Sequence, residues 1–395
     1  MKTARNDKTW TLYLEGRIDS GNAAQFEKEL LEATSQAGGA CIELDAEKLE
    51  YISSAGLRVL MKLRKQAREA LPVRNVSPEV YEIFEVTGFT ELFDVQKRLR
   101  QLSVEGLALI GRGANGAVYR LDEERIIKVY NPVTNTLERI KGEKQAARAA
   151  FVHGIPTAIS YEIVRVGEQY GMIYEMVKAS TVGEEVARNP ESVDAYACRM
   201  AALLKKLHAT SFEPGTLPDA REALYAWAEI ARRSGWYADG VIDKLRRFIG
   251  SISLADTFIH GDFHPGNVMV CDGELLLIDM GDASVGAPVI DLMGSYQIMK
   301  LAAARDGGAR RYTGMTSEQS NRFWNVFIRE YTGMDDEKAL AAYEEKLKFY
   351  ALVRTLPGIT FSEIVPDEVR PRLVQEVTAA FLRGYERLES AGGIS

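Results

Sequence analysis

Trp10, Leu12 and Leu14 alternate with Thr11 and Tyr13 ahead of Gly16, the two-residue period of a half-buried strand, and Ala23, Phe26, Leu30 and Ala33 then recur at helical spacing. A second strand (CIEL, 41–44) is followed by a second helix that starts at Ser53 or Ser54 and carries Leu57, Leu60 and Leu63 or Ala67. After Pro72, VRNV predicts a third strand; Ser77 and Pro78 then suit the N-cap and first turn of a helix running through Val86 and stopped by Gly88. The first hundred residues therefore predict a small α/β domain, a βαβα unit covered mostly on one side.

Near residue 104 the pattern changes. Strands are predicted at 107–110, 117–121 and 125–130, a helix at 136–152, and a strand pair at 160–166 and 171–176. From about 190 onward the apolar period is helical, broken over 257–290 by short strands, and RNPES at 188–192 marks a lobe boundary. The division is 1–103, 104–189 (mostly β) and 190–395 (mostly α), the last two reading as α+β. No Gly/Ser/Pro-rich linker separates Leu99 from Leu107, which predicts a restricted orientation of the two domains.

A length of 395 residues allows two or three domains, and 46% hydrophobic with 27% charged residues describes a folded chain. The net charge of −7 lacks the basic footprint of nucleic-acid binding. MKTARNDKTW is too polar for a signal peptide, and no apolar run reaches the roughly 18 residues of a membrane span, so a cytoplasmic location without membrane contact is expected. Cys41, Cys198 and Cys271 have no CxxC spacing, which argues against disulfides or zinc and predicts small buried side chains.

Chemistry enters with GRGANGAVY. Gly111, Gly113 and Gly116 lie between two predicted strands and suit a hairpin over nucleotide phosphates; a dinucleotide fold would need a helix there instead. Lys128, in IIKVY, shares the inward face of its strand with Ile126 and Tyr130, and a lysine so placed needs an anionic partner. Glu143, three residues after Ile140 on the next helix, can supply it, a solvated helix charge being the alternative. In FIHGDFHPGNVMV, Asp262 and Asn267 are five apart across a Pro265-Gly266 turn, and LLLID ends at Asp279 before Gly281. That order matches the kinase pattern H-x-D-x-x-x-x-N followed by D-x-G, in which base, metal-binding amide and metal-binding carboxylate appear in turn.

HGDFHPGN with Met280 and Gly281 resembles the aminoglycoside phosphotransferase and choline kinase branch over residues 105–395. The resemblance implies a two-lobed kinase-like fold that uses ATP and Mg²⁺ to phosphorylate a hydroxylated acceptor. It implies Asp262 as catalytic base, Asn267 and Asp279 as Mg²⁺ ligands, Lys128 on the α- and β-phosphates, and Tyr174 to Val177, with Glu175 and Val177 at adenine, as the hinge. His260 and Asp291 would support the catalytic loop, and His264 would be structural. Gly286, Ala287 and Pro288 depart from the family's Gly-Asp-Pro just before Asp291. No acidic patch for a polycationic drug is visible in the last helices, and Arg354, before a predicted TLPGITF turn, is either an anion-binding or an ion-pair residue.

The front segment, LEGRIDS, YISSAGLRVL and VSPEVYEIFEVTGF, resembles the STAS domain of anti-sigma factor antagonists over residues 1–103. That implies a protein partner, an anti-sigma factor or a sensor kinase, and a phosphorylatable serine, Ser54 first and Ser53 second, either of which also suits a plain N-cap. Three functions follow: a small-molecule phosphotransferase coupled to a regulatory domain, a partner-switching regulator that only senses nucleotide, or a serine kinase acting on Ser53 or Ser54.

Overall fold

The computed structural model describes every residue except 7, 68–69, 114, 133–134, 305–306, 362–364 and 391–395. Contacts divide the chain into two compact units, Met1–Ser103 with Val164–Gly167, and Val104–Ile163 with Glu168–Ser395.

In the front unit, β1 (Lys2–Arg5), β2 (Thr9–Ile18), β3 (Cys41–Ile52), β4 (Pro72–Val76) and β5 (Asp94–Lys97) form one sheet in chain order. The β1–β2 pair is antiparallel and the others are parallel, joined through α1 (Ala23–Ser35), α2 (Ser54–Gln66), α3 (Pro78–Val86) and the short α4 (Phe89–Leu92). Strand alternation turns Leu12, Leu14, Leu44 and Val73 into a core shared with Leu30, Leu60 and Phe84 of the helices. The edge strands KTAR and DVQK extend the three predicted ones; they are short and largely polar, so no alternation reveals them. Strand β3 runs well past Leu44, because its inward positions Leu44, Ala46, Leu49 and Ile52 are spaced unevenly where its register against β2 shifts. Ser53 is the N-cap of α2, its hydroxyl accepting the Gly56 N–H at 3.5 Å, while Ser54 opens the helix and is exposed.

The second unit opens with a five-stranded sheet in the order β6 (Leu109–Gly113), β7 (Gly116–Arg120), β8 (Arg125–Tyr130), β10 (Gln169–Glu175), β9 (Ser160–Val166), with α5 (Leu137–Val152) between β8 and β9 in sequence. It continues through β11 (Ser180–Thr181), α6 (Val182–Arg188), a 3₁₀ turn at Pro190–Ser192, α7 (Val193–His208), α8 (Ala220–Arg233) and α9 (Asp239–Ser251). Four short strands follow: β12 (Phe258–Ile259), β13 (Val268–Cys271), β14 (Glu274–Leu277) and β15 (Ser284–Val285). The chain ends with α10 (Val289–Tyr296), which runs on as a π-helix over Gln297–Ala302, then α11 (Gly308–Thr313), α12 (Ser317–Thr332), α13 (Glu337–Phe361) and α14 (Arg370–Ser390). One apolar cluster packs α7 and α12 against Phe263 and Leu277 beside the short strands. A second packs α8, α9, α13 and α14 through Phe248, Leu356 and Phe381. Between them these clusters hold the strand ends that carry the site.

Two expectations are corrected. Cys41 and Cys198 are exposed and Cys271 is only half-buried, since Cys41 opens an outward-facing strand position and Cys198 lies off the α7 face that buries Ala197, Ala201 and Leu204. The TLPGITF segment is helical: α13 passes through Pro357, because burial of Leu356 and Ile359 holds the helix together across the missing proline N–H. No described helix is long and apolar enough to cross a membrane.

Candidate active site

The glycine segment is a hairpin in which Gly113 faces Gly116 across the β6–β7 ladder. Gly116 has φ +149°, and a Cβ there would overlap the carbonyl oxygen of Val129, so this position admits glycine alone and brings two backbones close together. Gly111, opposite Val118, carries no such constraint.

On β8, Lys128 Nζ lies 3.1 Å from Glu143 Oε1 and 2.9 Å from Asp279 Oδ1, joining the sheet, α5 and the end of β14. Burial pulls the Lys128 ammonium down, but the charges of Asp279 and Glu143 outweigh it and leave it raised and protonated. Tyr174, placed by sequence at the hinge, instead turns its side chain inward: its hydroxyl donates to Glu143 Oε1 at 2.5 Å and meets the Tyr130 hydroxyl at 3.1 Å. Burial and the Glu143 charge hold its phenol well above the ordinary range, so it remains a donor. Further along, Glu175 exchanges bonds with Ile159, donating its N–H at 3.0 Å and accepting through Oε1 at 2.7 Å, and Met176 N–H donates to Glu124 O at 2.6 Å. The Val177 N–H has no acceptor among the described residues. Of this stretch, the backbone at Val177 is thus open to a ligand, and the Glu175 side chain is already engaged.

The loop between β12 and β13 carries the densest polar contacts. Asn267 Nδ2 donates at 3.0 Å both to the Asp262 carbonyl and to its carboxylate Oδ2, closing the five-residue turn. His264 Nε2 is 3.5 Å from Asp262 Oδ2, and its Nδ1 accepts the Gly266 N–H, so this histidine touches the carboxylate as well as shaping the turn. Arg354 completes the ring, with Nη1 on the Gly261 carbonyl at 2.6 Å and Nη2 3.5 Å from Asp262 Oδ1. Burial pushes the Asp262 carboxyl up, but His264, Arg354 and His260 prevail and hold it well below the usual carboxylate range. Asp279 sits at φ +61°, a left-handed conformation rare outside glycine, at the head of the 280–282 turn. Asp282 at the end of that turn lies 3.3 Å from Arg139.

Beneath the loop Asp291 is fully buried, accepting the N–H groups of His260 (2.9 Å) and Gly261 (2.7 Å). The brace is therefore complete despite the Gly286-Ala287-Pro288 departure. His260 Nε2 lies 3.1 Å from the Ile278 carbonyl, linking the loop to β14. His208, at the end of α7, reaches Asp291 Oδ2 at 3.1 Å and the Tyr331 hydroxyl at 2.7 Å. Tyr130 and His208 are not marked as site residues by the sequence, each standing alone in its segment without a spacing to reveal it; Tyr174 is read there as part of the hinge, and its hydroxyl contact with Glu143 is what the structure adds.

The geometry thus forms two polar groups, Lys128 with Glu143 and Asp279, and Asp262 with Asn267, His260 and Asp291, joined where His260 and the Asn267 carbonyl bond the backbone of Ile278 next to Asp279; Gly111, Gly113 and Gly116 lie on the hairpin of the sheet that carries Lys128. Ser53 and Ser54 lie in the front unit. Residues 106–323, more than half of the chain, match the model of a family described as phosphotransferase enzymes, and residues 1–95 match that of the Mlab-type STAS domain. The front segment is 42% identical over 85 residues to BtrV of Bordetella bronchiseptica, named as an anti-sigma factor antagonist, covering 21% of this chain and 72% of that protein. It is 26% identical over 88 residues to the anti-sigma-B factor antagonist of Listeria monocytogenes, covering 22% and 76%. Among solved structures, an aminoglycoside-3'-phosphotransferase of type VIII aligns with TM-score 0.46 and 20% identity over 63% of this chain and 92% of its own. A choline/ethanolamine kinase family protein from Mesorhizobium loti aligns with TM-score 0.41 and 16% identity over 70% and 87%. The chain belongs to the phosphotransferase enzyme family and carries a STAS domain of the anti-sigma factor antagonist type at its N-terminus.

Proposed function

We propose that the chain transfers the γ-phosphoryl group of ATP to a hydroxyl of a small molecule in a Mg²⁺-dependent reaction, and that its STAS domain couples this activity to a protein partner. The observation that carries the reading is the reach of Lys128 to both Glu143 and Asp279, beside an Asp262 that Asn267 locks in place. Phosphoryl transfer asks mainly for positioning and charge neutralisation, and this network supplies both.

In this reading 104–189 is the nucleotide lobe and 190–395 the catalytic and acceptor lobe. The β6–β7 hairpin with Gly111, Gly113 and Gly116 covers the phosphates, Lys128 exchanges its carboxylate contact for phosphate oxygens while Glu143 keeps it oriented, and the Val177 N–H meets the adenine edge beside Glu175. Asp262, ionised, accepts the acceptor hydroxyl's hydrogen bond and orients it for attack. The donor set suits magnesium: the Asn267 amide nitrogen is committed to Asp262, which leaves its oxygen as a ligand beside the Asp279 carboxylate. No cluster of three His, Cys, Asp or Glu residues fit for a metal occurs among the described residues, and magnesium in phosphoryl-transfer sites needs only one or two protein carboxylates beside substrate phosphates. Held by Asn267 and Asp279, the ion would neutralise charge on the phosphates. An ATP-consuming reaction points to the cytoplasm as its place.

The exposure of Ser54 at the start of α2 favours a second role, in which phosphorylation there by a sensor kinase or by this enzyme switches the STAS domain between partners, an anti-sigma factor among them. Purified full-length protein with Mg-ATP and a panel of hydroxylated metabolites tests the main reading: one acceptor gains mass as phosphate, and Asp262→Asn lowers the rate about a thousandfold, within the range of a lost general base. Absence of turnover and of nucleotide binding in the wild type removes it; an added phosphate on the protein itself selects the second.

A further inference from the structure

Arg354 has no part in the kinase pattern, yet it arrives at the base from a helix 92 residues further along the chain. Its side chain is 12% exposed, and the guanidinium takes two acceptors at once, the Gly261 carbonyl and the Asp262 carboxylate. A planar fork of donors does this in a way that a lysine cannot. The Trp227 ring on α8 lies 5.2 Å from it, supporting the cation from one side. At α10 a Cβ on Gly294 would overlap Arg354 Nη1, so this glycine leaves the slot through which the side chain passes. The α13 turn that carries Arg354 is held in turn, the Tyr237 hydroxyl donating to the Leu356 carbonyl at 2.5 Å next to Pro357.

Gly261 gives these contacts their meaning. At φ +84° it takes a left-handed conformation that favours glycine, and it directly precedes the base. Asp291 fixes its N–H, and Arg354 fixes its carbonyl, so the peptide units on both sides of Gly261 are held, the second being the one that enters Asp262. A structural ion pair would need neither the carbonyl contact nor a slot in a neighbouring helix.

We propose that Arg354 is a positioning residue of the phosphotransfer, clamping the Gly261 carbonyl and the Asp262 carboxylate so that the base meets the acceptor in one orientation. This role rests on Asp262 being the base.

The test measures amide exchange of peptides spanning 258–268 in the full chain, together with steady-state Mg-ATP turnover, for wild type, Arg354→Gln, Gly294→Ala and Arg354→Lys. Arg354→Gln removes the fork, and Gly294→Ala displaces it with its charge intact. Both should raise exchange around 260–263 at least about tenfold and lower kcat by a similar factor, the scale of losing charge-assisted hydrogen bonds, with KM for ATP unchanged and the front unit's exchange unaltered. Arg354→Lys should recover part of kcat. Unchanged loop exchange in a folded Arg354→Gln overturns the clamp, as does faster exchange with kcat intact. A wild type without turnover would end the phosphotransferase reading while the exchange data still judge the clamp. Should Arg354→Gln not fold, Arg354→Lys, which loses the fork only, carries the same comparison.

Discussion

The two units bury different things. The polar or charged residues that are buried among the described residues, from Asn135 and Glu143 through His260, His264 and Asp291 to Ser320, all lie in the second unit; the front unit's core is apolar throughout. Burying a charge is unfavourable unless it is paired, so a fold concentrates such groups where chemistry needs them. In the proposed function the front unit would act from its surface, at positions such as the exposed Ser54, and the second unit through its interior polar groups, from Lys128 to Arg354. Substitutions should therefore be felt in opposite ways, severely inside the second unit and weakly at the front.

The largest effect on stability is expected from Lys128→Met. It strands Glu143, 5% exposed, and Asp279 as unpaired carboxylates, a loss of about 3 kcal/mol on the scale of broken buried pairs, seen as a drop in the thermal midpoint of the second unit. A shift below about 1 kcal/mol would show the network to be solvated and the contrast with the front unit to be shallow.

Acid should separate the units next. Burial raises the Asp291 carboxyl, but the bonds and charges of His208 and His260 outweigh it and leave it depressed from 3.8. The sign follows: the unfolded carboxyl takes up its proton first, so the contribution of Asp291 is present above about pH 4 and is lost as pH falls through its lower folded value. Asp291→Asn should flatten this acid limb of the second unit's stability, followed by circular dichroism between pH 6 and 2, and leave the front unit's own limb as it is.

A smaller effect belongs to Tyr174→Phe. Losing one hydrogen bond to Glu143 while Lys128 still holds it should destabilise by about 1 kcal/mol and lower turnover without changing the fold, read by thermal melts and kcat. The smallest is at the front. Ser54→Ala should stay within about 0.5 kcal/mol, as for exposed positions generally, and Ser53→Ala should cost no more than about 1 kcal/mol because its capping bond is long. A larger Ser54 effect would mean that the front unit, too, is built on its polar groups.

Much of this was legible in the chain. Alternation and helical spacing mark β2, α1, α2 and α3 because each buries one face, and Asp262, Asn267 and Asp279 stand out because a tight turn and a strand end need their residues close together in sequence. Lys128 could be read as inward and anion-seeking, but Glu143 only as one of two alternatives, since a helix face alone does not say what covers it. The edge strands β1 and β5 escaped because a strand with one neighbour and a solvated side needs no apolar alternation. Cys41 and Cys198 misled because composition favours burial while position decides it.

The sequence by itself determined the kind of chemistry, through local spacing: a glycine hairpin, a lysine strand and the loop from His260 to Asn267. Tertiary structure alone decided who surrounds that loop. Tyr174 on Glu143, His208 on Asp291 and Arg354 on Asp262 are contacts between residues 31, 83 and 92 positions apart, and no periodicity connects them. Such pairings arise where packed helices and strands bring distant side chains within a few ångströms, and only the packing of the apolar clusters beneath them sets which side chains meet.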